Sequence, residues 1–465
     1  MTLLAAKIAA ARVVGEVARR AGRGGGTSLP GKVLMALEPG AISELSARLP
    51  RGSVVISATN GKTTTAAMVA SILAHAGIPV VHNRAGANMA GGVASTLLAA
   101  ARGGGRMDGE LGLFEIDEFW LDRVTPELEP RGLLLGNLFR DQLDRYGELD
   151  TIADRWAAVA SGGGAARSLV LNADDPLIAD LGRDAPNVTY FGIEDPSVAI
   201  PEMQHASDSK HCRRCGAAYV YDAIYLGHLG RYRCPSCGRE RPAPSVAAER
   251  IELDGTRRAR FELATTTGSS AIELPLPGLY NVYNALGAAA LCLALGVPLE
   301  TVAAGLHDVR AAFGRAERIA IGDVELQVLL MKNPAGANEV LRTLVLEHEE
   351  LDVLAVLNDR IADGRDVSWV SDADFEMLAG HVRRVTCAGT RAAELAVRLK
   401  YAGVPTDRLH VIPALAPALD AALAPVQDGQ LYALPTYTAL LELRQELAER
   451  GHALPFWEPE AVGGR

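Results

Sequence analysis

The 465-residue sequence has no long uninterrupted apolar segment, and only six of its 46 basic residues are lysines. The N-terminal segment is too polar to span a bilayer, and nothing resembles a cleaved signal peptide. The net charge of −10 argues against a broad nucleic-acid-binding surface. Apolar residues make up 49% of the chain and charged residues 22%, which is typical of globular proteins. We expect a cytoplasmic protein with no transmembrane segment and no nucleic-acid partner.

Three regions with different patterns follow one another along the chain. Residues 1–45 are predicted to form a helical lead-in. Its amphipathic first helix should pack on the body of the protein or, alternatively, lie on the inner membrane surface. In residues 46–312, apolar strands alternate with helices, which predicts a parallel sheet with crossover helices. The alternation resumes in residues 313–465, which predicts a separate, Rossmann-like C-terminal domain and an α/β fold overall.

A phosphate-binding loop is predicted at "SATNGKTTT", between the apolar run "VVI" and a helical segment. The first glycine of the general phosphate-loop pattern is absent, but Gly-Lys-Thr remains. Backbone N–H groups at the start of the helix would face the phosphates. Lys62 would contact the β- and γ-phosphates, and the Thr63 hydroxyl would bind Mg²⁺. The predicted nucleotide contacts are Thr59, Asn60, Gly61, Lys62, Thr63 and Thr64.

Four of the six cysteines lie in an insertion at about residues 205–245, within the central region. The pairs "CRRC" and "CPSC" are separated by 18 residues, a spacing typical of a four-cysteine zinc ribbon. The predicted zinc ligands are Cys212, Cys215, Cys234 and Cys237. No ligand position stays open, so the zinc should be structural. Two disulfides are the alternative, which a reducing cytoplasm disfavours. Cys292 and Cys387 lie in apolar segments and are predicted core residues.

A series of further motifs resembles the Mur ligase superfamily, in the order that the superfamily has them. These motifs are "TNGKTT", "FEIDEF", "GNLFRDQLDRYGE", "LNADDP", "GLYNVYNALGAAA" and "FGRAERI". The resemblance implies a central P-loop ATPase domain that phosphorylates a carboxylate with ATP, after which an amine attacks the acyl phosphate. It also implies that Glu115 binds Mg²⁺, that Asn281 lies near the adenine and that Arg315 reaches the nucleotide.

Three departures from the superfamily narrow this interpretation. Only about 50 residues precede the phosphate loop, too few for the UDP-binding domain of peptidoglycan ligases. Gln142 stands where the superfamily has a metal-binding histidine. No lysine occurs between Lys62 and Lys210, so the carbamylated lysine that many members use is absent. The sequence therefore does not decide whether the protein has a second magnesium site.

The C-terminal region resembles the MurT family, the synthetase subunits of lipid II isoglutaminyl synthase. The resemblance rests on "LNDRIADGRDVSWVSDADFE" at 357–376, "MKNPAGANEVL" at 331–341 and "LPTYTALLELR" at 434–444. It implies amidation of the α-carboxylate of D-isoglutamate in the lipid II stem peptide, at the cytoplasmic membrane face. The nitrogen donor would be ammonia.

The source of that ammonia is a separate question. A glutaminase needs an activated cysteine or serine paired with histidine, and neither remaining cysteine has such a context. The resemblance implies a GatD-type glutamine amidotransferase as partner, to which this chain would lend an aspartate. Asp366 is our first candidate, followed by Asp359 and Asp363. The alternative for each of them is turn formation, since aspartate and glycine dominate turns.

Two other functions are alternatives to that of an amidoligase subunit. A free-standing Mur-type ligase, such as folylpolyglutamate synthase, would add an amino acid to a carboxylate. A non-catalytic zinc-ribbon scaffold would use the nucleotide only as a switch. The missing N-terminal domain and the 357–376 motif count against the first. The joint retention of Lys62, Thr63, Glu115 and Asn281 counts against the second.

Overall fold

The architecture consists of two α/β sheets and a small inserted hairpin, seen in a computed structural model. The structure describes residues 3–20, 28–83, 87–103, 106–141, 149–164, 166–205, 207–310, 315–347, 350–426 and 429–453. Within those residues, no helix is both long enough and apolar enough to cross a membrane. The prediction of an α/β fold is confirmed.

The helices and strands have the following bounds. The helices are α1 Leu3–Arg20, α2 Leu29–Leu37, α3 Ala41–Ser46, α4 Lys62–His75, α5 Ala90–Ala100, α6 Leu121–Leu128, α7 Leu149–Ser161, α8 Pro176–Asp180, α9 Leu279–Ala294, α10 Leu299–His307, α11 Pro334–Leu344, α12 Ala392–Tyr401, α13 Leu415–Leu423 and α14 Tyr437–Glu449. The strands are β1 Ser53–Ser57, β2 Val80–His82, β3 Leu111–Glu115, β4 Gly132–Leu135, β5 Ser168–Asn172, β6 Val188–Ile193, β7 Val220–Leu226, β8 Leu229–Arg233, β9 Val246–Asp254, β10 Arg258–Thr265, β11 Gly268–Leu274, β12 Arg315–Ile321, β13 Val324–Leu329, β14 Leu351–Val356, β15 Val382–Ala388, β16 Leu409–Val411 and β17 Gln430–Pro435.

The first sheet has nine strands in the order β11-β10-β9-β6-β5-β4-β1-β3-β2. The pairings from β9 to β2 are parallel, while β10 and β11 add an antiparallel extension. Alternate side chains of β1 enter two cores: Val54 and Ile56 pack with α4 and α9, and Val55 packs with α5 and α6. Burial on both faces explains why the three central residues of the strand are all apolar.

The order of the central strands determines where a ligand can bind. Strand β1 lies between β4 and β3, so the loops that follow these three strands meet at one edge. In open parallel sheets, ligands bind at the carboxyl ends of the strands, where the strand order reverses. The predicted phosphate loop follows β1 and therefore lies at this edge.

The second sheet has six strands in the order β12-β13-β17-β14-β15-β16. All its pairings are parallel except that of β12 with β13. Helices α11 and α12 cover one face, and α13 and α14 cover the other. The predicted domain boundary at 312/313 falls among residues 311–314, outside the described residues, and stays a prediction. The predicted boundary at 45/46 falls inside α3.

The first helix packs on the body of the protein. Ala11 is fully buried, the Lys7 ammonium group lies 2.7 Å from a Glu38 carboxylate oxygen, and the Arg12 guanidinium donates to the Leu98 carbonyl oxygen. These contacts tie α1 to the end of α2 and to α5. The expectation of a packed helix is confirmed.

Candidate functional site

The predicted phosphate loop is a tight turn that leads directly into α4. Gly61 has φ +85°, a conformation that favours glycine, and Lys62 is the first residue of the helix. A Cβ atom at Gly61 would lie 2.0 Å from the Asn284 Oδ1 atom, so a side chain has no room there. The free N–H groups of the first helical turn are oriented to bind an anion.

Lys62 forms a buried ion pair within this loop. Its Nζ atom lies 2.7 Å from a Glu118 carboxylate oxygen and also donates to the Ala58 carbonyl oxygen. Burial alone would lower the pKa of Lys62, but the carboxylates of Glu118 and Asp117 outweigh burial, so that pKa is raised. Lys62 is therefore a cation held ready at the helix N-terminus. Sequence reasoning missed Glu118, although the acidic run "FEIDEF" contains it.

Glu115, the predicted magnesium ligand, is buried at the end of β3. Its backbone N–H donates to the Asn83 side chain, whose Nδ2 atom donates in turn to the Glu115 carbonyl oxygen. Strand register pairs Glu115 with Ile56, so the end of β3 lies beside the start of the phosphate loop. A carboxylate from Glu115 and a hydroxyl from half-buried Thr63 are the hard oxygen donors that suit Mg²⁺.

A cleft opens beside the phosphate loop. Most of its lining comes from four parts of the chain: the loop itself, the segment 137–139 that follows β4, helix α9, and the start of the second sheet with α11. The tip of the inserted hairpin completes the wall.

Asparagine side chains connect the parts that surround this cleft. The Asn60 N–H donates to Asn137 Oδ1 at 2.9 Å, and Asn137 Nδ2 donates back to the Asn60 carbonyl oxygen. The Asn60 side chain also bonds to Asn333, the residue that caps α11. The first and second sheets are thus joined at the phosphate loop. Nearby, Lys332 Nζ lies 2.6 Å from an Asp141 carboxylate oxygen.

Of three predicted nucleotide contacts, Asn281, Thr59 and Arg315, the structure describes the side chains of the first two. Asn281 is buried and does not line the cleft, because its side chain donates to the Pro277 carbonyl oxygen and accepts from Asn284. Asn284 lines the cleft instead. Arg315 is the first residue of β12, but its side chain lies outside the described residues, as does Gln142. Thr59 is buried and its hydroxyl bonds to the Phe139 backbone.

The four predicted zinc ligands are brought together in the insertion. Their Sγ atoms all lie within 4.8 Å of one another, with Cys212–Cys237 at 3.6 Å and Cys215–Cys234 at 3.4 Å. A tetrahedral zinc with bonds of about 2.3 Å requires sulfur separations of about 3.8 Å, so the cluster fits this metal. Gly216 and Gly238 follow the two pairs with φ +74° and +71°, which forms the two turns.

The hairpin β7–β8 joins this cluster to the cleft. Leu226 and Leu229, at its tip, are buried and line the cleft wall. The His228 ring lies 4.6 Å from the Phe139 ring between centroids, and the Gly230 N–H donates to the Asp174 carbonyl oxygen. Sequence reasoning did not anticipate this docking, because nothing in the hairpin's own sequence specifies a distant partner.

The three candidate aspartates differ in their surroundings. Asp363 is buried and accepts hydrogen bonds from the Thr438 N–H and hydroxyl. Asp359 is half-buried and lies 2.8 Å from the Arg391 guanidinium. Asp366 is exposed, and its Oδ1 atom accepts from the Ser368 N–H at 2.8 Å. That bond lowers the pKa of Asp366, so this exposed carboxylate stays charged.

The two remaining cysteines are core residues, as predicted. Cys292 and Cys387 are both completely buried. Burial raises the pKa of Cys387 to about 12 and raises that of Cys292 further. A buried thiol with a raised pKa is a poor nucleophile, so neither residue suits a glutaminase.

Two family models match separate parts of the chain. Residues 56–292 match the Mur ligase middle domain, and residues 330–440 match the MurT ligase C-terminal domain. The chain is 32% identical to the MurT subunit of lipid II isoglutaminyl synthase (glutamine-hydrolyzing) from Streptococcus pneumoniae, over 92% of this chain and 93% of that protein. The Staphylococcus aureus protein of the same name is also 32% identical, with coverage of 93% and 96%.

Among solved structures, a pseudomurein peptide ligase type C from Methanothermus fervidus has a similar fold. The TM-score is 0.67 at 23% identity, and the match covers 87% of this chain and 80% of that chain. This likeness confirms the prediction of a Mur-ligase-type fold.

Proposed function

Since this chain belongs to the MurT family of the Mur ligase superfamily, we propose that it is the ATP-dependent synthetase subunit of a lipid II amidating enzyme. Its substrate would be the α-carboxylate of D-isoglutamate in the lipid II stem peptide, and its product D-isoglutamine. The enzyme would work in the cytoplasm, where lipid II presents its headgroup at the inner face of the membrane.

The reaction has two steps. A carboxylate oxygen of the substrate attacks the γ-phosphorus of ATP, which releases ADP and forms an acyl phosphate. Ammonia then attacks the carbonyl carbon, loses a proton and expels inorganic phosphate, which carries away that carboxylate oxygen. Positioning and charge stabilisation supply most of the catalysis in such phosphoryl transfers.

The chain's own residues would supply that stabilisation. Lys62 would exchange Glu118 for the phosphates of bound ATP, with the N–H groups of α4 beside it. Thr59, Asn60, Gly61 and Thr64 would shape the loop, and Asn281 would act through Asn284. Thr63 and Glu115 would hold Mg²⁺, which neutralises phosphate charge when bound. The four-cysteine cluster would hold a structural Zn²⁺.

Ammonia would come from glutamine, through a GatD-type glutaminase subunit. Asp366 is the aspartate best suited to reach such a partner, because it is exposed, whereas Asp363 is buried and Asp359 pairs with Arg391. In a Cys–His glutaminase, an added aspartate would orient the histidine and stabilise its protonated form.

The similarity to MurT subunits over more than nine-tenths of both chains carries this proposal. The test is amidation of purified lipid II by this chain together with a GatD-type glutaminase, using ATP and either glutamine or ammonium. Mass spectrometry should find the carboxylate converted to the amide with both nitrogen sources. Addition of a free amino acid instead would favour a folylpolyglutamate-type ligase, and nucleotide binding without turnover would favour a scaffold.

A further inference from the structure

Glu339 is a buried carboxyl group in the wall of the cleft. It lies on α11, lines the cleft and is 3% exposed. Its Oε1 atom is buried without a hydrogen-bond partner. The nearest cation among the described residues is the Arg342 guanidinium, with Nη1 4.0 Å from Oε1. Arg342 already donates to the carbonyl oxygens of Tyr225 and Val198, both at 2.7 Å.

Most of the other polar side chains in the cleft are occupied by contacts within the protein. The Asn60 side chain bonds to Asn333, and the Asn284 side chain bonds to Asn281. The Tyr283 hydroxyl donates to Asp174 at 2.7 Å, and Lys332 pairs with Asp141. A buried polar atom without a partner costs free energy, so such atoms in native proteins require an explanation. For Glu339, a hydrogen-bond donor on a bound ligand would provide that explanation.

The position of Glu339 along α11 indicates which part of the ligand it would meet. Asn333, at the start of the helix, bonds to Asn60 of the phosphate loop. Glu339 lies six residues further on, which is about 9 Å along a helix that rises about 1.5 Å per residue. That is a nucleoside's length from the phosphates. Hairpin residues Leu226 and Leu229 line the same cleft.

We propose that Glu339 is a specificity-determining residue, which accepts a hydrogen bond from the nucleoside part of ATP. This inference rests on the proposed function, since it presumes ATP in the cleft. The donor is either the 6-amino group of adenine or the ribose 2′-hydroxyl, and the two share the same chemistry towards a carboxyl oxygen. Burial raises the pKa of Glu339 to about 7, as expected for a carboxyl group that lacks its donor.

The test pairs deletion of the acceptor with deletion of each donor. Dissociation constants for ATP, purine riboside triphosphate and 2′-deoxy-ATP are measured by calorimetry in the presence of Mg²⁺. The wild type should prefer ATP over one of the two analogues by about 10-fold, the value of a hydrogen bond to a buried carboxyl group. Glu339→Ala should bind ATP and that analogue equally. Glu339→Gln, which keeps a carbonyl acceptor, should retain the preference.

Two controls keep the result interpretable. Glu339→Met fills the original volume and should behave like Glu339→Ala, even if the alanine variant folds poorly. Glu300→Ala removes an exposed glutamate from α10 and should retain the preference of the wild type. If Glu339→Ala and Glu339→Met keep that preference, or if the wild type has none, the inference is wrong. Failure of the wild type to bind ATP at all would instead refute the proposed function.

Discussion

The Lys62 ammonium group lies 2.7 Å from a carboxylate oxygen of Glu118, and both side chains are buried beside the phosphate loop. The pair holds the lysine charged at the N-terminus of α4 before any phosphate arrives. When a triphosphate binds, its phosphates must replace Glu118 as the anionic partner of Lys62. The lysine therefore has an anionic partner both before and after a phosphate binds. This explains why its buried charge is tolerated there.

Lys62→Ala should abolish both ATP hydrolysis and lipid II amidation, because the transferring phosphoryl group loses its positioned cation. The same change leaves Glu118 buried without its partner, which should lower the free energy of unfolding by about 3 kcal/mol. The double variant Lys62→Ala/Glu118→Gln should recover stability without recovering activity. Denaturant unfolding and product analysis measure the two effects. Near wild-type amidation by either variant would remove Lys62 from the reaction.

Glu115→Ala should raise the Mg²⁺ concentration needed for half-maximal ATP hydrolysis by about 10-fold or more, because a carboxylate ligand is lost. Metal-free nucleotide binding should change much less. Glu110→Ala, just before the start of the same strand, is the matched control and should behave as the wild type. An unchanged magnesium titration in Glu115→Ala would contradict the assignment.

Freshly purified protein should contain one zinc per chain, and Cys215→Ser should lose it. Zinc sites of this type contribute folding free energy, so the hairpin should loosen and become sensitive to protease. Since Leu226 and Leu229 of the hairpin line the cleft, the affinity for ATP should fall about 3-fold or more when the zinc is lost. Elemental analysis, limited proteolysis and nucleotide titration test the three points. The control variant Cys387→Ala, which changes a residue of the second sheet, should still contain one zinc per chain. Wild-type protein without zinc would refute the zinc ribbon.

Asp366→Asn should cripple amidation with glutamine but spare amidation with ammonium. An aspartate that orients a partner's histidine matters only for releasing ammonia, and such changes cost about 10⁴-fold in well-studied triads. The surface variant Asp407→Asn should leave both rates unchanged. Equal loss with both nitrogen sources would move Asp366 into the synthetase site or the fold. No loss with either would return it to turn formation, and Asp359→Asn would be examined next.

The parts of the site that the sequence predicted are local in the chain. The phosphate loop needs only a strand, a glycine turn and a helix start, and the four-cysteine cluster needs only two turns at the right spacing. Contacts between residues that lie far apart in the chain could not be predicted from the sequence. Nothing near Lys62 in sequence indicates Glu118, 56 residues away, as its partner.

The same reason applies to the cleft wall. Asn281 and Asn284 are one helical turn apart, so the sequence alone could not decide which of them faces the ligand and which supports it. Glu339 had no motif to mark it, because its interest comes from burial without a partner. Among the aspartates, exposure of Asp366 and internal bonding of Asp363 are likewise properties of the folded chain.

The central claim is that this chain activates a lipid II carboxylate as an acyl phosphate, and the fate of the carboxylate oxygen tests it most directly. Lipid II labelled with oxygen-18 in the D-isoglutamate α-carboxylate is converted with ATP and ammonium, and the inorganic phosphate is analysed by mass spectrometry. The account predicts one labelled oxygen in phosphate for each amide formed. Amide formation with unlabelled phosphate would contradict it.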